Sequence, residues 1–398
     1  MAPRILFISN GYGEDTIATS VVKALLAIDV SSIITALPLV GEGKAYEACG
    51  VEVIGPRQLM PSGGMIPGNP GNLLKDIACG LGSLTAAQAL AIKHMKGHVD
   101  VTAAVGDIYP VLMAMLFAAP PRVMIGTAKS NYFVPYNGFE RAVIRRSCEV
   151  AFVRDEPTAA SLRASRIDAR WVGNAMMDSL DYEGQTFGLR EGLPCVGILP
   201  GSRAEAYGDI AVILEAVEEL YTICEGKVAF LMGAALSTPL EEFSRKIAPM
   251  GWRFREGQSF PSGSMDYFDK EPVSIAVVRG MFGDVLKCST VLIGQAGTGN
   301  EQAVGLGKPV VTFDSQGRQE LGWYRKRQKG LLGDSIAVVA KEKGAIAAEV
   351  SAILSIPERY RSMAAIGYER MGPPGGARAM ALSLLEHAGA AQARAPGS

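Results

Sequence analysis

Short, almost wholly apolar runs alternate along this chain with longer stretches whose apolar positions recur every three or four residues. The runs are "RILFIS" (4–9), "SSIITALP" (31–38), "VEVIG" (51–55), "DVTAAVG" (100–106), "RVMIGTA" (122–128) and "EVAFV" (149–153). Runs that are apolar on both faces predict parallel strands covered by helices on both sides. The pattern weakens around residue 182, where "DYEGQTFGLREGLP" is polar and turn-rich. It restarts with "CVGILP" (195–200), "KVAFLMG" (227–233), "VSIAVV" (273–278), "TVLIG" (290–294) and "PVVTF" (309–313). Two such series predict an α/β chain of two doubly wound, Rossmann-like domains facing across a cleft. The expected layout is a first domain over 1–181, a linker over 182–194 and a second domain over 195–370. A helix from 371 returns to the first domain and ends in a tail at 398.

Three stretches depart from this rhythm. "VTAAVGDIYPVLMAMLFAA" (101–119) is apolar enough to span a membrane, but Asp107 and Pro110 interrupt it. It reads as strand, turn and buried helix. "PRQLMPSGGMIPGNPGNLLKDIACGLGSL" (56–84) is rich in Gly, Pro, Met and Leu and poor in charge. It is either a long loop feeding a helix or an apolar flap that meets a lipid chain or a membrane surface. "GPPGG" (372–376) breaks the helical stretch 357–388.

Length agrees with two cores, since 398 residues exceed one ordinary domain. With 39 Lys and Arg against 40 Asp and Glu, bulk charge predicts no nucleic-acid partner. Six scattered Cys without a CxxC pair suit a reducing compartment. The first apolar run is too short for a secretory signal, so a cytoplasmic protein is expected. His94 and His98 have a zinc-compatible spacing, but Gly97 weakens their helix and no third ligand is evident, so no metal is expected.

The chemistry gathers at turns that follow strands. "SNGYGED" (9–15) places Asn10, Gly11, Gly13, Glu14 and Asp15 where the first strand gives way to a helix. Glycines there let an acceptor approach the backbone, and the acids can bind its hydroxyls or simply favour the helix dipole. "LPGSR" (199–203) offers Gly201, Ser202 and Arg203 to a phosphate or sugar, with an ordinary capped turn as the plainer reading. "GQAGTGNEQA" (294–303) presents Gly297, Thr298, Gly299 and Asn300 ahead of a helix, whose N-terminus attracts anions such as a pyrophosphate. Glu301 and Gln302 can hold ribose hydroxyls one turn in. The spacing matches neither the dinucleotide fingerprint nor a Walker A loop.

"LPGSR", "AGTGNEQAVGLGKPVV" and "AFVRDEPTAASLRASRIDARWVGNAMMDSL" (151–180) together resemble lipid-A-disaccharide synthase and its relatives over most of the chain. "TFDSQGRQE" (312–320) is similar to the sugar-contacting loop of the peptidoglycan N-acetylglucosaminyl transferase. The resemblance implies a GT-B fold and an inverting, metal-free transfer from a UDP-sugar, with no cofactor beyond that co-substrate. It implies a lipid or glycolipid acceptor and peripheral attachment to the inner face of the cytoplasmic membrane. It puts Gln319 and Glu320 near the sugar and the family's ribose-binding Glu on Gln302, beside Glu301. It assigns the general base to Asp107, the acid of "VGD". The residues themselves agree, because Asp107 is a lone carboxylate at the end of an apolar strand; a helix N-cap is the alternative. Glu14 and Asp15 are rival bases. "YRKRQK" (324–329) reads as a solvated helix face or a contact for anionic head groups. A UDP-sugar 2-epimerase of the same fold is the competing enzyme, although that family's several active-site acids and His are not evident among three His. A non-catalytic sugar-nucleotide sensor is the third reading.

Overall fold

The structure is a computed structural model that describes residues 1–58, 80–201, 206–236, 238–314 and 319–394. The chain divides into two compact units. One comprises Met1–Ser179 with Pro373–Ser398, and the other comprises Leu180–Gly372.

The first unit is built on strands β1 (Arg4–Ser9), β2 (Ile33–Pro38), β3 (Glu52–Val53), β4 (Val101–Gly106), β5 (Arg122–Gly126), β6 (Val150–Val153) and β7 (Ala169–Arg170). Their order across the sheet is β3-β2-β1-β4-β5-β6-β7, and every pairing is parallel. Chain order therefore reverses between β1 and β4, the topological switch point where such sheets bind ligands. The apolar run of β4 is buried along its whole length, which is why its sequence shows no polar alternation. Side chains set the helix starts. Asp107 caps Ile108–Phe117, Asp155 caps Glu156–Arg163, and Asn137 with Glu140 forms a reciprocal capping box on Gly138–Ser147.

The C-terminal helix Gly376–Arg394 belongs to this first unit. Asp178 accepts hydrogen bonds from Gly375 N (2.5 Å) and Ala377 N (2.8 Å) at its start. Near its end the Gln392 amide donates to Ala2 O at 3.1 Å and Asp100 Oδ2 at 2.8 Å.

The second unit carries β8 (Cys195–Leu199), β9 (Ala229–Ala234), β10 (Arg253–Phe260), β11 (Gly263–Lys270), β12 (Val273–Arg279), β13 (Val291–Gly294), β14 (Val310–Phe313) and β15 (Ile336–Val339). Their order is β10-β11-β12-β9-β8-β13-β14-β15. The six strands from β12 to β15 pair in parallel, and β10–β12 form an antiparallel edge. Order reverses between β8 and β13, a second switch point. Residues 182–194, expected to be a linker, are held on this unit. Glu183 N and Gly184 N donate to the Asp284 carboxylate at 2.9 and 3.2 Å, and Phe187 and Leu189 pack against its core.

Among the described residues no helix is long and apolar enough to cross a membrane. The segment expected as an apolar flap lies for residues 59–79 outside the described residues.

Candidate active site

The first switch point gathers Asn10, Glu14 and Asp107. β1 delivers Asn10 and β4 delivers Asp107 to adjacent positions, and the Asn10 amide donates to Asp107 Oδ1 at 2.8 Å. The same oxygen accepts Tyr109 N at 2.8 Å, the cap of the following helix. Asp107 is thus the helix cap, and both contacts fall on one of its two oxygens. Oδ1 accepts twice, whereas no hydrogen bond reaches Oδ2 among the described residues. Asp107 is partly exposed, as a group that meets a substrate must be.

Backbone requirements make this pocket of carboxylates possible. Gly106 has φ +133°, and a Cβ there would lie 1.9 Å from Asn10 Oδ1. A Cβ on Gly11 would lie 2.3 Å from Glu14 Oε2, so Glu14 folds back over the turn. Glu14 Oε1 accepts from Thr127 Oγ1 at 3.3 Å, beyond the end of β5. Thr127 O in turn accepts from Arg154 Nη1 at 3.2 Å, beyond the end of β6. A small pocket opens beside these last two residues, lined further by Ile17, Asn174, Met176 and Met380. Thr127 and Arg154 were not singled out in the sequence, and their signal is their place just past two strands. Two buried oxygens nearby, Asn10 Oδ1 and the Tyr136 hydroxyl, have no hydrogen-bond partner among the described residues. Burial pushes the Tyr136 hydroxyl pKa up, and the charges of Glu140 and Asp107 add to it.

Asp15 does not join Glu14. It is only 2% exposed and accepts from Ser9 Oγ at 2.6 Å, while Ser9 Oγ accepts from Tyr46 OH at 2.9 Å. Burial pushes its carboxyl up to about 6, against the Ser9 bond and helped by the Glu14 charge. Of the two expected acceptor contacts, Asp15 is turned into the core and Glu14 stays partly exposed.

The second switch point carries the other set. Gly201 follows β8 with φ +91°, and a Cβ there would lie 3.3 Å from Gln295 O. The backbone of Gln295 and Ala296 thus lies directly against Gly201. Helix Thr298–Gly305 starts at Gly297 without a side-chain cap, which leaves its N-terminal dipole uncompensated by a cap. Thr298 is exposed and Gly297 and Gly299 are partly so, as an anion-binding turn requires. Asn300 is fully buried and donates to Gly294 O at 3.1 Å, so it shapes the turn rather than facing a ligand. Of the two ribose candidates, Gln302 is 6% exposed, whereas Glu301 is partly open. Ser202 and Arg203 lie outside the described residues. Gln319 and Glu320 begin the helix Gln319–Leu332.

The run 324–329 is not a uniformly solvated face. Arg325 is 4% and Gln328 2% exposed, and both turn toward the 295–297 backbone. Lys329 donates to Asp334 at 2.7 Å and to Ile336 O at 2.8 Å. No group of three or more His, Cys, Asp or Glu suited to a metal occurs among the described residues.

Neither a protein-family model nor a curated protein matches the sequence. Solved structures do match the fold. MnaA from S. aureus, solved with UDP, is 13% identical with a TM-score of 0.60, covering 100% of this chain and 99% of its own. A UDP-GlcNAc 2-epimerase from Neisseria meningitidis bound to UDP-GlcNAc is 13% identical, TM-score 0.58, over 96% of this chain and 99% of that one. MurG from Acinetobacter baumannii is 11% identical, TM-score 0.57, over 96% and 99%. The chain has the GT-B fold class. At these identities the likeness carries the fold alone.

Proposed function

We propose that this protein is an inverting, metal-independent glycosyltransferase that moves a sugar from a UDP-sugar to a lipid-linked or glycolipid acceptor. The observation that carries the reading is the pairing of chemistries at the two switch points. One holds a carboxylate fixed through a single oxygen, and the other an uncapped helix N-terminus between glycine-rich turns. The second unit takes the diphosphate at Gly201 and 297–299, with Glu301 toward the ribose and Gln319 and Glu320 toward the sugar. Ser202 and Arg203 complete the phosphate contacts. In the first unit Asn10, Gly11, Gly13 and Glu14 receive the acceptor.

The acceptor hydroxyl oxygen attacks the anomeric carbon of the donor sugar. The bond from that carbon to the β-phosphate oxygen breaks, and its electron pair leaves with UDP. The hydroxyl proton passes to Asp107 Oδ2, as general base catalysis requires. Charge building on the leaving phosphate is met by the helix N-terminus rather than by a metal ion. The lipid character of the acceptor, and attachment to the inner face of the cytoplasmic membrane by the 56–84 segment, rest on the sequence resemblance and on the low charge of that segment.

UDP-sugar 2-epimerisation is the second reading, favoured by the fold neighbours that carry that name. Against it, that family's several active-site acids and His are not evident in a chain with only three His (94, 98 and 387). His387 lies 2.8 Å from Ser383 O, within its own helix. A crystal soaked with UDP tests the shared part of both readings. Nucleotide density along 297–302 is expected, and density at the Asn10–Asp107 turn instead would reverse the assignment of donor and acceptor units.

A further inference from the structure

We infer that Arg325 and Gln328 are positioning residues that aim the backbone N–H groups of the 295–298 turn at the donor diphosphate. The inference rests on the donor assignment made above and deepens it.

The two residues stand at i and i+3, so they share one face of the helix Gln319–Leu332. Arg325 donates through Nε to Phe313 O at 3.2 Å and through Nη2 to Gln295 O at 3.4 Å and to the Gln295 side-chain oxygen. Its Nη1 donates to Gln328 Oε1 at 2.6 Å, which fixes the Gln328 amide. The Gln328 Nε2 then donates to Ala296 O at 3.2 Å and Gly297 O at 3.3 Å. Three consecutive carbonyls, of 295, 296 and 297, are thereby drawn toward one helix.

A trans peptide plane carries its C=O and the next N–H in opposite directions. Pinning those three carbonyls on the helix side therefore directs the N–H groups of Ala296, Gly297 and Thr298 the other way. Such a run of backbone donors is an anion-binding concavity. A Cβ on Gly201 would lie 3.3 Å from Gln295 O and 4.0 Å from Ala296 N, so the turn lies against the glycine turn of β8. A buried guanidinium behind the turn adds fixed positive charge where a diphosphate would dock. The same helix begins with Gln319 and Glu320, the residues assigned above to the sugar.

The experiment measures UDP and UMP affinity by calorimetry for the full-length wild type, Arg325→Lys and Gln328→Met, with melting temperatures of the ligand-free proteins. Lysine keeps the charge but cannot bridge the carbonyl of 313, the turn and the Gln328 amide together. Arg325→Lys is expected to lose about 10–100-fold in UDP affinity, or roughly 1.4–2.8 kcal/mol. UMP, which lacks the second phosphate, should lose less than about threefold. Gln328→Met, which removes two carbonyl bonds and no charge, should lose about fivefold for UDP and covers the case in which the Arg variant fails to fold. Wild-type UDP affinity in a folded Arg325→Lys protein overturns the inference. Equal loss of UDP and UMP with a lowered melting temperature overturns it too, since that marks a merely structural role. A wild type that binds no UDP refutes the donor assignment itself.

Discussion

Replacing Asp107 by Asn separates the observed cap from the proposed base. Oδ1 caps the helix Ile108–Phe117 through Tyr109 N and receives the Asn10 amide. An Asn carbonyl oxygen can accept both bonds, and Asn and Asp rank alike as caps. The variant should therefore stay within about 1 kcal/mol of wild-type stability. Its NH₂ group now replaces Oδ2, the oxygen proposed to receive the proton. Loss of a general base costs about 10²–10⁴-fold in turnover, or roughly 3–5.5 kcal/mol in the barrier. UDP affinity should be unchanged, because the diphosphate turn belongs to the other unit. Asp107→Ala provides the contrast. It loses turnover and the cap together, lowering stability by about 0.5–2 kcal/mol. The assay is UDP release in the presence of acceptor lipid, with calorimetric stability and UDP titration on the same preparations. Wild-type turnover in a folded Asn variant would reduce Asp107 to a cap and move the base to Glu14.

Three further outcomes follow from the same geometry. Asp15 titrates near 6 when folded, above its ordinary 3.8. The native state thus binds more protons between those values, and its contribution to stability falls as pH rises through that window. Asp15→Asn should be near wild type at pH 4 and gain up to about 3 kcal/mol on it by pH 7; a pH-independent difference in urea melts would refute the shift. Gly106→Ala should cost about 1–3 kcal/mol and turnover as well, from its positive φ and the collision with Asn10; unchanged melting and activity would contradict the packing. Glu301→Ala should weaken UDP about tenfold, and equal affinity in titration would remove it from the ribose contact.

Much of the fold could be read directly, because parallel strands buried on both faces write themselves as unbroken apolar runs. The hairpin β10–β11 could not. "RFREGQSF" in β10 is exposed almost throughout, so no core-facing alternation marks it. β15 is four residues long with two of its positions only partly buried. The turns after β1, β4, β8 and β13 were legible as glycine and polar residues following a strand, and the sheet order brings them to two switch points. What the turns do inside was less legible. Glu14 and Asp15 are neighbours in sequence, but about 100° of helix rotation separates them, enough to send one to the site and the other to the core. Arg325 looked like one charge in a basic run. Its burial depends on the 295–297 backbone, thirty residues away in sequence and invisible to local pattern.

The account stands most directly on where the sugar goes. UDP-sugars labelled in the sugar, with GlcNAc and Glc donors run in parallel, would be incubated with the protein and a lipid extract. The products would then be partitioned between organic and aqueous phases. A glycosyltransferase acting on a lipid acceptor places label in the organic phase, in step with UDP release and lost in Asp107→Asn. Label recovered as a free 2-epimer in water, with or without lipid, would contradict it and establish the epimerase; binding of the donor with no product at all would leave a sensor.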